Sequence, residues 1–95
     1  MAWWPIGLYR VDGQSMLPTY GHYDLLIGWR WFTPGPGQVV VADHDLMIIK
    51  RITKADSKGY WLEGDNSDLS TDSRTFGYVT RSQLRARVIL RVAKG

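Results

Sequence analysis

Gln38-Val39-Val40-Val41-Ala42-Asp43-His44-Asp45-Leu46-Met47-Ile48-Ile49-Lys50-Arg51-Ile52-Thr53 decides the fold class. Gln38 to Ala42 is a nearly continuous β-branched run, the pattern of a strand buried on both faces. Asp43-His44-Asp45 follows as a turn, because aspartate readily hydrogen-bonds its own backbone there. Leu46 to Thr53 then pairs back as the second arm of a hairpin. Lys50 lies inside that arm. Successive strand residues face opposite sides, so Lys50 and Arg51 cannot point into one site. Lys50 shares its face with Ile48 and Ile52, and Arg51 shares the other with Ile49 and Thr53. An ammonium among isoleucines is disfavoured in its charged form, which lowers its pKa. A neutral lysine amine is a usable base. The plainer alternative is that Lys50 and Arg51 straddle an ordinary strand, with at least one of them in water.

Outward from the hairpin the chain continues in short extended segments. Leu8 to Asp12 reads as a strand leading into a turn, and Tyr23 to Trp31 as another, entered through Asp24. Thr33-Pro34-Gly35-Pro36-Gly37 is a loop, since Pro and Gly break ladders. Ala55-Asp56-Ser57-Lys58-Gly59 is a turn before a short strand, Tyr60 to Glu63. Arg85 to Val92 alternates. Ala86, Val88, Leu90 and Val92 share one face, expected to be buried, and Arg85, Arg87, Ile89 and Arg91 the other. Thr80 to Leu84 is the one segment expected to form a helical turn. Short strands with Gly/Pro-rich turns predict a small all-β sandwich or partly open barrel of antiparallel strands. No repeat, low-complexity segment or linker divides residues 1–95, so one domain is expected.

A chain of 95 residues can bury a modest core, and five Trp and five Tyr help to fill it. The absence of cysteine removes disulfides and thiolate metal sites, which is compatible with a reducing compartment. A formal charge of +3 is too small to argue for a nucleic-acid partner. No stretch approaches the roughly 20 apolar residues that span a bilayer. Met1 to Tyr9 is apolar but interrupted by Pro5 and Gly7, with no basic region before it. These features are compatible with a cytoplasmic protein, the location expected, with a membrane-peripheral one as the alternative.

Ser15 stands in Val11-Asp12-Gly13-Gln14-Ser15-Met16-Leu17-Pro18-Thr19. A serine hydroxyl needs a nearby base before it is a useful nucleophile. Gly13 allows close approach of backbone to a ligand, and Pro18 fixes the chain direction after the serine. A Gly-Ser turn between two strands uses the same residue types. A third stretch, Gly64-Asp65-Asn66-Ser67-Asp68-Leu69-Ser70-Thr71-Asp72-Ser73-Arg74-Thr75-Phe76-Gly77, separates the two readings. Its acidic residues do not make a calcium loop. Counted from Asp65, the sixth position is Ser70 rather than Gly and the twelfth is Phe76 rather than Glu.

The serine stretch, the Lys50-Arg51 strand and this acidic segment, in this order, resemble the type I signal peptidase family of Ser/Lys proteases. The resemblance covers Val11 to about Val79. It implies Ser15 as nucleophile and Lys50 as general base. It implies that Ser70 orients the lysine amine, and that Asp72 and Arg74 form a buried pair holding the segment against the site. The oxyanion is expected to be held by the Ser15 backbone N–H. Some family members add a serine hydroxyl two residues before the nucleophile. Here that position is Gly13, so the donor is absent. No cofactor is implied. The implied partner is a precursor protein with a cleavable N-terminal leader. Within the family, the dozen residues between Lys50-Arg51 and Gly64, the Trp61-to-Asn66 lead-in and the Ser70-to-Arg74 core look most like maturation proteases of nickel-type superoxide dismutase. The rival is signal-peptidase cleavage of exported preproteins, by a trimmed or peripheral form. Self-cleaving domains of SOS-type repressors share the Ser/Lys dyad but lack the Gly-Asp-Asn…Asp-Ser-Arg segment. From another class, a non-catalytic β-barrel could bind peptide or nucleic acid through its Trp and Arg residues.

His22 and His44 sit in polar turns beside aspartates and fall in no metal-binding frame, so no metal is expected. Trp3, Trp4, Trp29 and Trp31 fit either core packing or an exposed rim that contacts a peptide or a membrane surface.

Overall fold

A computed structural model describes residues 4–95. Six strands form one antiparallel sheet: β1 (Ile6–Arg10), β2 (Leu25–Trp29), β3 (Val39–His44), β4 (Leu46–Asp56), β5 (Gly59–Glu63) and β6 (Leu84–Ala93). Their order is β1-β2-β6-β3-β4-β5, and the sheet is not closed. The all-β class expected from sequence is what is found. Among the described residues, no helix is long and apolar enough to cross a membrane.

The β3–β4 hairpin is tighter than its sequence suggested. The Asp43-His44-Asp45 turn shrinks to Asp45 alone, because Asp43 and His44 still pair with Met47 and Leu46. Asp45 makes this possible by taking a positive φ of 60°, which aspartate tolerates better than most residues. The next turn is also reduced, to Ser57-Lys58 between the paired Asp56 and Gly59.

β3 is buried on both sides, as its β-branched run implied. Val39 and Val41 join Val11, Met16, Leu26, Ala86 and Val88 in one apolar cluster. Val40 and Ala42 face the other way, into a cluster with Ile52, Leu62, Val79 and Leu84. Burial on both faces of a flat sheet would need covering layers. Here the sheet curls, and bulges supply the bends: the register slips between β2 and β6, β3 and β6, and β4 and β5. As a result β1 and the start of β4, with three strands between them in the order, line one cleft.

β6 departs from its expected alternation. Ala86 and Val88 are buried, but Leu90 and Val92 are 46% and 47% exposed. Gly28 pairs with Val88 and Ile27 with Leu90, which leaves Ile89 as an extra residue. That bulge breaks the period of two on which the expectation rested. Beyond it Arg91 turns back toward the protein and pairs with the buried Asp24 carboxylate at 3.1 Å.

The helical turn expected over Thr80 to Leu84 is a 3-10 turn at Arg81–Gln83, closed by a Thr80/Gln83 capping box. Two further short turns lie in the acidic segment, a 3-10 turn at Ser67–Leu69 and a helix, α1, at Ser73–Phe76. The tryptophans divide. Trp4 and Trp31 are 59% and 58% exposed, whereas Trp29 is half-buried and meets Trp31 edge-on at 6.3 Å. Trp3 lies outside the described residues.

Candidate active site

Lys50 is buried in the middle of β4, and its Nζ lies 2.6 Å from Ser15 Oγ. The register places Lys50 as the sequence alternation required. Ile48 and Ile52 belong with one apolar cluster, and Ile49 packs on the other. Burial lowers the Lys50 pKa from its ordinary value, and the nearby Asp72 carboxylate pulls it partly back up. A buried amine at hydrogen-bond distance from a half-buried serine hydroxyl can accept that hydroxyl's proton once it is neutral.

Ser15 is carried by the connection between β1 and β2. Gly13 has a φ of +89°, a conformation that glycine adopts freely, and its N–H donates to His22 Nδ1 at 2.8 Å. Met16, fully buried, anchors the turn in the core. The Ser15 carbonyl accepts from the Asn66 N–H at 2.8 Å. No acceptor for the Ser15 N–H itself is found among the described residues, so it is available to a ligand.

The acidic segment packs against this turn. Asp72 is fully buried and caps α1, accepting from the Arg74 N–H. Burial alone would raise its pKa. The Arg74 guanidinium, the Ser70 hydroxyl and the Gly64 and Arg74 N–H groups outweigh that and hold it well below the usual carboxylate range. The Asp72–Arg74 pair is therefore made, but only its acidic half is buried; Arg74 reaches in from the surface. The hydroxyl of Ser70, expected to orient the lysine amine, donates to Asp72 Oδ2 at 2.6 Å, and the Asp72 carboxylate is the charge that raises the Lys50 pKa against burial.

Five participants carried no role in the sequence reading. Arg51, on the face away from Lys50, grips Asp65 through two hydrogen bonds of 2.9 and 2.8 Å. Asp65 also accepts from the Thr19 hydroxyl, which ties the far end of the serine turn to β4. Asn66 adds its side chain to the Gln14 carbonyl at 3.0 Å. Gly64 fits where no larger residue would. The signal for these was present in the Gly64-Asp65-Asn66 string, but its partners lie far away in sequence.

The two histidines are not brought to Ser15. His22 braces the turn through Gly13 and stacks on Tyr23, and His44 stacks on Phe76. Among the described residues no group of His, Asp or Glu is arranged to hold a metal ion.

Ser15 and Lys50 line a cleft of about 440 Å³. Its walls are β1, from Leu8 to Arg10, and the start of β4, from Leu46 to Ile49. Both walls are strand edges. Among the described residues β1 pairs only with β2, and β4 pairs with β5 only from Arg51 onward. Leu8, Met47 and Leu46 are exposed along these edges, so the cleft offers open backbone and apolar contact together.

Comparison with known proteins places the chain among peptidases. The family described as Peptidase S24-like matches residues 5–85. The chain is 43% identical over 56 residues to mitochondrial inner membrane protease subunit 1 of Xenopus tropicalis. The aligned stretch is 59% of this chain and 34% of that protein, so the chain matches about a third of its relative's length. Both similarities are to peptidases, in keeping with a signal-peptidase-like character. With the family description covering most of its length, the chain belongs to the Peptidase S24-like family.

Proposed function

We propose that this chain is a serine endopeptidase with a Ser15/Lys50 dyad that removes an N-terminal leader from a precursor protein. The observation that carries the reading is the 2.6 Å contact between Ser15 Oγ and buried Lys50 Nζ in the cleft. A substrate segment enters extended and adds as a strand to the free edges of β1 and β4. Neutral Lys50 takes the Ser15 proton as Oγ bonds to the scissile carbonyl carbon. The Ser15 N–H donates to the resulting oxyanion. Lys50 passes its proton to the leaving amine, the C–N bond breaks, and an ester on Ser15 remains. Water then gives a proton to Lys50 as its oxygen bonds to the ester carbonyl carbon; the C–Oγ bond breaks, Lys50 returns that proton to Ser15 Oγ, and the new carboxylic acid leaves and ionises.

The precursor we favour is that of nickel-type superoxide dismutase, cut in the cytoplasm. Its support is the resemblance in sequence and the short path from Lys50 to Gly64, which a two-residue turn closes without an inserted domain. A second reading, cleavage of exported preproteins at a membrane, is favoured by the relative named for the mitochondrial inner membrane and by the exposed Trp4 and Trp31. Mixing the purified protein with a nickel superoxide dismutase precursor, and separately with a secretory preprotein in lipid, tests both. New N-termini on the dismutase precursor support the first reading. Cleavage of the preprotein alone overturns the first and leaves the second. No cleavage of either, by protein that is folded, overturns both.

A further inference from the structure

Asn66 occupies the position before the 3-10 turn at Ser67–Leu69, where an asparagine side chain ordinarily caps its own helix. It makes no such cap. Its Nδ2 donates across the site to the Gln14 carbonyl at 3.0 Å, while its backbone N–H donates to the Ser15 carbonyl at 2.8 Å. One residue thus holds both peptide units that flank the nucleophile. The first of these has a particular meaning. The Gln14 carbonyl and the Ser15 N–H belong to the same planar, trans peptide group, and they point in opposite directions. Fixing the carbonyl from one side aims the N–H on the other. A hydrogen bond to the oxygen also polarises the group and makes the N–H a stronger donor.

We propose that Asn66 is a positioning residue for the oxyanion donor: its side chain orients and polarises the Gln14–Ser15 peptide so that the Ser15 N–H meets the transition state correctly. The inference rests on the reading of Ser15 as the nucleophile. Gly13 makes the role more consequential, since glycine supplies no side-chain donor beside the nucleophile. The Leu17 N–H also reaches the Gln14 carbonyl, at a longer 3.2 Å, so removal of Asn66 weakens the hold without abolishing it.

The test compares Asn66→Ala and the isosteric Asn66→Asp, neither of which has an N–H to offer Gln14. Both keep the backbone bond to Ser15, so the turn stays docked, and thermal melts verify this. The substrate is a leader peptide that the wild-type protein cleaves. The probe is the same sequence ending in an aldehyde, whose carbonyl carbon accepts Ser15 Oγ to give a tetrahedral oxyanion adduct. We expect kcat to fall about 10-fold, less than the roughly 100-fold or more that follows loss of an oxyanion donor itself. Aldehyde affinity should fall in parallel. In Asn66→Ala, KM should remain within about twofold and the midpoint of the pH–rate profile should not move, as the loss acts only where negative charge develops on the substrate. An unchanged kcat in either folded variant, a loss confined to KM, or a lower kcat with undiminished aldehyde affinity would each overturn the assignment. Ser15→Ala is run alongside. If it still cleaves, the Ser15 reading itself fails; if it is inactive while the Asn66 variants are normal, only the role of Asn66 fails.

Discussion

Gly64 lies so close to Ser15 that a methyl group cannot come between them: a Cβ at position 64 would sit 2.6 Å from the Ser15 carbonyl oxygen and would also collide with the Ser70 hydroxyl. The requirement is for space, since Gly64 is not among the glycines with positive φ. Gly64→Ala must push the serine turn or the acidic segment aside. Overpacking of this kind costs about 1–3 kcal/mol. Because the displaced atom belongs to the nucleophile's own residue, activity should fall further than the melting temperature alone explains. Kinetics and a thermal melt on one preparation check this, and full activity with an unchanged melt would contradict it.

The dyad leads to the second prediction. Ser15→Ala and Lys50→Ala should each abolish cleavage and leave a folded β-sheet protein, measurable by product formation and circular dichroism. Lys50→Ala also removes a charge that burial disfavours, so its melting temperature should not fall in proportion to the lost activity. Substantial turnover in Lys50→Ala would remove lysine as the base.

Protonation sets the third prediction. Only neutral Lys50 accepts the Ser15 proton, and burial lowers its pKa. With chemistry rate-limiting, the rate should rise with pH through a midpoint below the roughly 10.4 of a free lysine. Asp72 opposes this shift, so Asp72→Asn should move the midpoint to lower pH. Stability follows the same sign. Between the lowered folded pKa and about 10.4 the unfolded chain binds the extra proton, so folding stability rises with pH in that window. A flat rate profile from mildly acidic to alkaline pH would count against the mechanism.

Asp72 gives a fourth prediction at the acid end. Its folded pKa is depressed, so its contribution is complete above the unfolded value of about 3.9 and is lost as pH falls below it. Asp72→Asn should therefore be less stable than wild type near neutral pH, and the gap should narrow in acid. Denaturant titrations at two pH values measure it. A gap independent of pH would mean that the carboxylate charge is not what Arg74, Ser70 and Gly64 hold.

Arg51 gives a fifth. Arg51→Lys keeps a positive charge but loses the two-pronged grip on Asp65. The pair is part-exposed, so we expect a small stability loss, within about 1 kcal/mol, with a larger loss of activity because the serine turn loosens. Equal stability and activity in Arg51→Lys would show that the grip does not matter to the turn.

What the sequence made legible and what it did not divide along one physical line. Lys50 could be placed because strand alternation is local and isoleucines on both sides declare the face. β3 was readable because a run of valines without polar breaks has few other homes. The end of β6 was not, since Ile89 bulges and a bulge reverses every face beyond it without leaving a mark in composition. The short turns at Ser67–Leu69 and Ser73–Phe76 are too brief for a helical period to register. Thr19 with Asp65 and Asn66 with Gln14 are separated by 46 and 52 residues, and no local pattern encodes such a meeting. The motif identified the acidic segment as important, but only packing revealed that Ser70 answers to Asp72.

β6 joins the sheet's two portions: β2 pairs with its C-terminal half and β3 with its N-terminal half. Ser15 hangs from the β1–β2 side and Lys50 from the β3–β4 side. During synthesis both residues therefore emerge well before the strand that brings their sheets into one. Until residues 84–93 leave the ribosome, nucleophile and base belong to two ribbons with no shared ladder. The order of translation therefore sets the order of assembly: the ladder that unites the serine ribbon with the lysine ribbon forms only after β6 has emerged.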